Sequence, residues 1–202
     1  MNLLLVRHGE ALPNHEGVRV LSATGRQEAQ AAGLWLRDTG IDILYWSPIR
    51  RTRETLLALG QQPWASGGPD DRLCEIRPGP GPPPRERGTH ETVHGYETWT
   101  DFLARAADCL TDLLDQHAHQ SVGLLTHRGI FDAVHELATG SARRVELAVG
   151  HGCITSWTYN RRARSGKWIL NFHNLRPPRS KFPPGGNEYH AGIDPAVSHY
   201  LP

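Results

Sequence analysis

The fold is decided first at residues 3–10, which read LLLVRHGE. Residues 3–6 form a short run that is entirely apolar, a pattern typical of a strand buried on both faces. Arginine, histidine, glycine and glutamate follow at residues 7–10. A buried strand that ends in charged residues beside a glycine predicts a central strand with a ligand site at its carboxyl end.

Apolar patterning along the rest of the chain predicts strands that alternate with helices. We expect further strands at residues 41–46, 73–76, 122–126, 153–159 and 167–172. We expect helices at residues 22–38, 47–59, 98–117 and 130–138. Ser22 and Ser47 are typical helix caps, and Pro48 suits a first helical turn. This alternation predicts an α/β fold with a largely parallel sheet and helices on both faces.

Composition excludes several classes of protein. The 202 residues carry 22 Lys and Arg against 21 Asp and Glu, a net charge of +1. That balance argues against nonspecific nucleic-acid binding and against a basic membrane anchor. No apolar run approaches the roughly 18 residues that a membrane-spanning helix needs, and the N-terminus lacks a signal-peptide pattern. Cys74, Cys109 and Cys153 are too widely spaced for a disulfide framework, so we expect a cytoplasmic protein.

The length suits one domain with an appendage. We place the domain at residues 1–175 and a tail rich in proline and glycine at residues 176–202. A second stretch of this kind, residues 77–88, interrupts the domain as a loop.

Two further clusters carry chemistry. The strand predicted at residues 122–126 is followed by His127, Arg128 and Gly129, and arginines recur at residues 50–53. Cations at the start of a helix are electrostatically unfavourable, so this second cluster indicates an anionic ligand. Arginine offers a bidentate fork to phosphate oxygens, and a neutral histidine is a nucleophile near neutral pH. These residues therefore predict a pocket for a phosphoryl group.

At these positions the chain resembles the histidine phosphatase superfamily, also called the phosphoglycerate mutase-like family. The resemblance covers about residues 2–174 and consists of several motifs in one order. The matching stretches are Arg7-His8-Gly9, Asn14, Leu21-Ser22-Ala23-Thr24-Gly25, the run from Ser47-Pro48 through Arg51 to Thr55, Leu73-Cys74-Glu75, the run from Glu97 to Arg105, and His127. The resemblance implies a three-layer α/β/α sandwich with a mostly parallel central sheet.

The resemblance also implies a division of roles. It makes His8 the nucleophile, which attacks phosphorus and forms a phosphohistidine. It makes Glu75 the general acid, and it assigns the phosphoryl oxygens to Arg7, Arg51, His127 and Asn14. It implies a small phosphorylated substrate and no cofactor or metal, because side-chain cations neutralise the phosphate charge.

The chain departs from the family pattern in three places. The family usually has glycine directly after the second histidine, where this chain has Arg128. The loop at residues 77–88 replaces the stretch that often follows the acid, and the tail has no family counterpart. We expect Arg128 and Glu10 to lie at the substrate rim, with a structural or backbone-capping role the stronger reading for Glu10.

Alternative functions stay open on the sequence. Besides hydrolysis of a small phosphomonoester, the same site suits a phosphoglycerate-type mutase or a phosphatase of phosphohistidine or phosphoserine in proteins. An inactive module that only binds a phosphorylated ligand is an alternative from another class. The sequence does not decide the oligomeric state.

Other features have simpler readings beside a functional one. Asn14 is also a common turn residue. The pairs His117 with His119 and His90 with His94 have spacings that zinc sites can use, but a helix end and a polar loop account for them. The arginines at residues 161–164 suit a solvated turn between two strands, with an anion-binding patch as the alternative.

Overall fold

Eight strands and four α-helices make up the part of the chain that the structure describes. The structure is a computed structural model, and it describes residues 1–76, 97–141, 146–162 and 166–178. The strands are β1 (Asn2–Arg7), β2 (Ala11–Pro13), β3 (Arg19–Leu21), β4 (Ile43–Trp46), β5 (Ala65–Pro69), β6 (Ser121–Thr126), β7 (Ile154–Asn160) and β8 (Lys167–Leu175). The helices are α1 (Ala23–Thr39), α2 (Arg50–Ala58), α3 (Trp99–Gln116) and α4 (Arg128–Thr139).

Six strands form one sheet, in the order β5-β4-β6-β1-β7-β8. β1 runs parallel to β6, and β4 runs parallel to β5 and to β6. β7 is antiparallel to β1, and β8 is antiparallel to β7. The short strands β2 and β3 pair with each other as a separate hairpin. The predicted mostly parallel α/β sheet is confirmed, with an antiparallel flank on one side.

The apolar run in β1 buries side chains on both faces of the sheet. Leu3 and Leu5 pack in one core cluster with side chains of α3 and α4. Leu4 and Val6 pack in the other with side chains of α1. Each such leucine stabilises the fold by roughly 1.5–3 kcal/mol relative to an exposed one. The two clusters make β1 the middle strand of a three-layer sandwich, which is why residues 3–6 are uniformly apolar.

Three helix ends follow their sequence signals. The Ser22 hydroxyl accepts a hydrogen bond of 2.9 Å from the Gly25 amide at the start of α1. The Thr98 hydroxyl does the same for the Asp101 amide at the start of α3, at 3.0 Å. α4 is followed by Gly140, whose φ of 67° is the left-handed conformation that glycine adopts freely.

The start of α2 differs from the prediction. α2 begins at Arg50, with Ile49 as its N-cap and no side-chain cap. The prediction that Ser47 caps the helix and that Pro48 lies in its first turn is wrong. The Ser47 hydroxyl instead lies 2.8 Å from Nε2 of His127, a partner that local sequence does not reveal.

The prediction of a strand at residues 73–76 is also wrong. Asp71–Leu73 forms a single 3-10 turn, whose first residues are capped by the Asp70 carboxylate. Leu73 is buried in the core, and its carbonyl accepts a 2.7 Å hydrogen bond from the Thr126 hydroxyl. The edge strand next to β4 is β5, which lies earlier in the chain and contains two glycines and no large apolar residue.

Four sequence predictions fall wholly or partly outside the described residues: the loop at 77–88, the pair His90 and His94, the arginines at 161–164, and most of the tail at 176–202. Among the described helices, none is both long and apolar enough to cross a bilayer.

Candidate active site

The predicted site residues meet at one edge of the sheet. β1 and β6 are parallel neighbours in register, with Arg7 beside Thr126, so the residues that follow each strand emerge together. The rings of His8 and His127 lie with their centroids 5.1 Å apart. The N-terminus of α2 supplies Arg51 to the same place. The fold therefore brings together two histidines and two arginines that lie far apart in sequence.

His8 is held in a defined tautomer. Its Nδ1 lies 2.7 Å from the Gly9 carbonyl, which can only accept, so Nδ1 carries the proton. Nε2 is then the atom with the free electron pair, and it accepts a 3.1 Å hydrogen bond from Nε of Arg51. Burial, reinforced by the charges of Arg51 and Arg7, lowers the pKa of His8 to about 3. His8 is thus neutral at physiological pH, as a nucleophile must be.

His127 is fully buried beside it. Its Nδ1 accepts a 2.9 Å hydrogen bond from Nη2 of Arg51, and its Nε2 then donates to the Ser47 hydroxyl at 2.8 Å. Burial, followed by the neighbouring His8 and Arg51, lowers the pKa of His127 strongly. One guanidinium thus binds both imidazoles, and Ser47 fixes the orientation of the second ring.

Arg7 points into the same region from the end of β1. Its Nη1 donates to the carbonyl of Val149, while its Nε is buried with no hydrogen-bond partner among the described residues. Burial lowers the pKa of Arg7 and of Arg51, and the nearby Glu75 carboxylate opposes that shift. A buried guanidinium atom without a partner is costly unless a ligand satisfies it.

Glu75 lies on the other side of the two arginines. Its carboxylate accepts hydrogen bonds from the backbone amides of Ile76, at 3.0 Å, and Gly129, at 3.3 Å. A Cβ on residue 129 would stand 2.2 Å from Oε1 of Glu75, so any residue larger than glycine would push the Glu75 carboxylate out of this position. Glycine at position 129, directly after Arg128, therefore leaves room for the Glu75 carboxylate beside the backbone of α4.

The segment that carries Glu75 is held from α3. Arg105 donates to the carbonyls of Cys74, at 2.9 Å, and Arg72, at 2.6 Å. The same guanidinium donates two hydrogen bonds to the Glu97 carboxylate, at 2.5 and 2.8 Å. The two ends of the sequence motif from Glu97 to Arg105 thus pair with each other and hold the segment that carries Glu75.

Three other predicted residues are bound to groups other than the two histidines. The Asn14 side-chain oxygen accepts hydrogen bonds from two amides of the β2–β3 hairpin, at 3.0 and 2.9 Å, which is a turn role. The Glu10 carboxylate accepts a 2.6 Å hydrogen bond from the Ser22 hydroxyl and so anchors the start of α1. Arg128 pairs with the exposed Glu146 at 2.6 Å and lines a cavity of about 480 Å³ next to Arg7.

Sequence reasoning missed two residues of the site. One is Ser47, which was interpreted as a helix cap. The other is His151, whose ring centroid lies 5.4 Å from that of His8. Burial and the charge of Arg7 lower the pKa of His151 to about 4. Its only sequence signal is a histidine between two glycines directly before a strand.

Two other residues that the sequence analysis considered, His117 and Arg161, have partners outside this site. His117 has both ring nitrogens occupied, by the Tyr45 hydroxyl at 2.9 Å and the Gln120 side-chain oxygen at 2.7 Å. Arg161 pairs with the exposed Asp115 at 2.7 Å in the turn after β7.

Comparisons with solved structures show the same fold. A mycobacterial glucosyl-3-phosphoglycerate phosphatase has a TM-score of 0.72 at 21% identity, covering 86% of this chain and 98% of that one. The α-ribazole phosphatase from Shigella flexneri has a TM-score of 0.73 at 21% identity, covering 87% and 97%. YhfR of Bacillus stearothermophilus has a TM-score of 0.69 at 21% identity, covering 84% and 94%.

No curated protein sequence matches the chain. The model of the histidine phosphatase superfamily (branch 1) matches residues 3–172, which include every described residue of the site built above. The chain therefore belongs to the histidine phosphatase superfamily.

Proposed function

We propose that this phosphatase hydrolyses a small phosphomonoester through a phosphohistidine on His8, without a metal ion. The observation that carries the proposal is the unprotonated Nε2 of the neutral His8. In the structure this atom accepts a hydrogen bond from Nε of Arg51, which phosphorus would replace. The fold neighbours named above, a glucosyl-3-phosphoglycerate phosphatase and an α-ribazole phosphatase, support a small metabolite as the substrate class.

In the first step Nε2 of His8 attacks phosphorus in line with the leaving oxygen. The N–P bond forms as the P–O bond to the leaving group breaks, and Glu75 in its acid form gives its proton to that oxygen. Arg7 and Arg51 stabilise the charge on the phosphoryl oxygens. When the phosphoryl dianion takes the place of Nδ1 of His127 as the acceptor for Arg51, Nδ1 gains a proton from solvent and the new Nδ1–H donates to a phosphoryl oxygen.

In the second step the Glu75 carboxylate takes a proton from water. The water oxygen attacks phosphorus, the N–P bond breaks, and inorganic phosphate leaves. His8 returns to its neutral form and Glu75 to its acid form. The chain thus supplies nucleophile, acid, base and cations from its own side chains.

We favour hydrolysis over the mutase reaction because the family's mutases tend to be longer and carry loops that shield a bisphosphorylated intermediate from water. The additional length of this chain lies in the loop at residues 77–88 and in the tail. Its three cysteines are free in the structure, which supports a cytoplasmic site of action.

The proposal is tested by assay with p-nitrophenyl phosphate in the presence of EDTA and of vanadate. We expect activity to survive the chelator, because arginine side chains neutralise the phosphate. We expect vanadate to inhibit, because it adopts the five-coordinate geometry of the transition state. Loss of activity on chelation, restored by zinc or magnesium, would contradict the mechanism.

Arg128 is expected to favour substrates that carry a further acidic group besides the phosphoryl group. Its guanidinium lines the cavity beside Arg7, and its Nε is buried without a partner among the described residues. Arg128→Gly should raise KM for a phosphomonoester that carries a second acidic group more than for one whose phosphoryl group is its only acidic group. The difference should stay near about 1 kcal/mol, since the side chain is partly solvated.

Glu146→Gln is the matched control for this prediction. It removes the ion pair with Arg128 and leaves the guanidinium in place. If Arg128 acts on the substrate, this variant should lower KM for the substrate with the second acidic group. Equal effects of Arg128→Gly on both substrates would show that Arg128 is only a solvated surface residue.

A further inference from the structure

Three adjacent strands each present a histidine at the same edge of the sheet. His127 follows β6, His8 follows β1, and His151 precedes β7, which runs antiparallel to β1. The ring of His8 lies between the other two, with centroid distances of 5.1 Å to His127 and 5.4 Å to His151. The nucleophile is thus flanked by an imidazole on each side.

The turn that carries His151 is fixed to the backbone of the nucleophile. The Gly152 amide donates to the Arg7 carbonyl at 3.1 Å and to the His8 carbonyl at 3.3 Å. Gly152 has a φ of +66°, and a Cβ there would stand 2.7 Å from Glu28. Only glycine suits this position, so the sequence keeps the imidazole of His151 at a set distance from His8.

The two flanking rings differ in what they bind. His127 is fully buried, and both of its nitrogens are taken, by Arg51 and Ser47. His151 is only half-buried, and its ring nitrogens have no hydrogen-bond partner among the described residues. An imidazole beside the nucleophile with both nitrogens available is able to contact a substrate.

The charges that face His151 favour an anion there. Arg7 and Glu10 reach it from the end of β1, Arg19 from β3, and Arg176 from the segment after β8. Three cations thus face one carboxylate, and that carboxylate already accepts a hydrogen bond from the Ser22 hydroxyl. A group that brings negative charge between them relieves the repulsion.

We propose that His151 contacts the phosphoryl group, donating a hydrogen bond to an oxygen that Arg7 also binds. The inference rests on the proposed function, because it assigns a partner within that site. It adds a third imidazole to the site. That imidazole supplies a hydrogen-bond donor on the side of His8 that faces away from His127.

Protonation makes the proposal measurable. Burial and Arg7 hold the pKa of His151 at about 4, against the ordinary 6.5. A bound dianion opposes both the arginine charges and the loss of solvation, so it raises that pKa. As the pH falls below neutrality, the complex gains a proton that the free protein does not. Binding of a dianion should therefore strengthen with acidification.

The direct test follows the histidine ring resonances of the isotope-labelled protein by NMR during pH titration, with and without sulfate. Sulfate imitates the phosphate dianion and does not itself titrate in this range. We expect sulfate to move the pKa of His151 from about 4 to the ordinary 6.5 or higher. The inference would be overturned if sulfate shifted the resonances of His8 or His127 and left the pKa and the resonances of His151 unchanged.

Two substitutions separate the hydrogen bond from the proton. His151→Ala removes both and should lower kcat/KM for a phosphomonoester by roughly 10- to 100-fold, the scale of a hydrogen bond to a charged group. His151→Asn keeps a donor and cannot titrate. It should therefore keep most activity at pH values above neutrality. On acidification, its sulfate binding should strengthen less than that of the wild type, because the proton on His151 is lost and only the other histidines can take one up. His119→Asn, at an exposed histidine beyond α3, is the matched control and should change neither measurement.

Failure of the inference is distinguishable from failure of the proposed function. If His151→Ala matches the wild type in kcat/KM while His8→Ala is inactive, the phosphatase mechanism stands and the role of His151 is refuted. If the wild type neither binds sulfate nor hydrolyses any phosphomonoester, the proposed function fails and the inference fails with it.

Discussion

His8→Ala is expected to abolish turnover and to prevent any covalent phosphorylation of the protein. The substitution removes the electron pair on Nε2 that faces Arg51. Loss of the nucleophile of a covalent mechanism typically costs at least roughly 10,000-fold in kcat. Wild-type enzyme quenched with denaturant at alkaline pH should carry a phosphoryl group that is labile in acid and stable in base. The variant should carry none.

The control for this result is His119→Ala, because His119 is exposed and lies near the start of β6, at the opposite edge of the sheet. It should label and turn over as the wild type does. A phosphoryl group found on serine or cysteine would contradict the assignment of His8, whatever the activity of the variant.

Glu75→Gln is expected to slow the phosphorylation of His8 in a way that depends on the leaving group. An alkyl phosphate leaves as a strongly basic alkoxide and needs a proton. p-Nitrophenolate is stable as an anion and hardly needs one. General acid catalysis contributes roughly 100- to 10,000-fold, so we expect a loss of that size with the alkyl phosphate. The loss with p-nitrophenyl phosphate should be far smaller.

The comparison requires single-turnover rates, because we propose that Glu75 is also the base in the second step, which both substrates share. Glutamine keeps the shape of the side chain, so the contacts with the amides of Ile76 and Gly129 have a replacement acceptor. Glu10→Gln, at a carboxylate occupied by Ser22, is the matched control and should affect both substrates alike. An equal loss with both substrates in Glu75→Gln would exclude Glu75 as the acid and direct attention to Glu10 and Glu97.

Much of the scaffold could be predicted because its signals are local. The apolar run at residues 3–6 has one physical explanation, burial on both faces of a central strand. Ser22 and Thr98 cap their helices through amides three residues away, so a short stretch of sequence contains both partners.

The parts that could not be predicted depend on distant partners. Ser47 has the sequence of a helix cap, but its hydroxyl binds an imidazole 80 residues further along the chain. β5 contains glycines where a strand pattern has large apolar residues, and it is a strand because β4 pairs with it. Nothing near His151 indicates that β7 will lie antiparallel to β1 and deliver this ring to the site.

The direction of the last strand has a practical consequence for where an affinity tag or fluorescent partner is joined. β8 runs antiparallel to β7, so Leu175 lies beside Ile154 and, across β7, at the edge that carries His8. Peptide appended soon after residue 178 therefore starts at the mouth of the site. Met1 lies at the far edge, where its amino nitrogen donates to the carbonyls of Ala118 and Tyr159. A fusion there keeps a peptide N–H for one of those carbonyls and leaves the substrate entrance free.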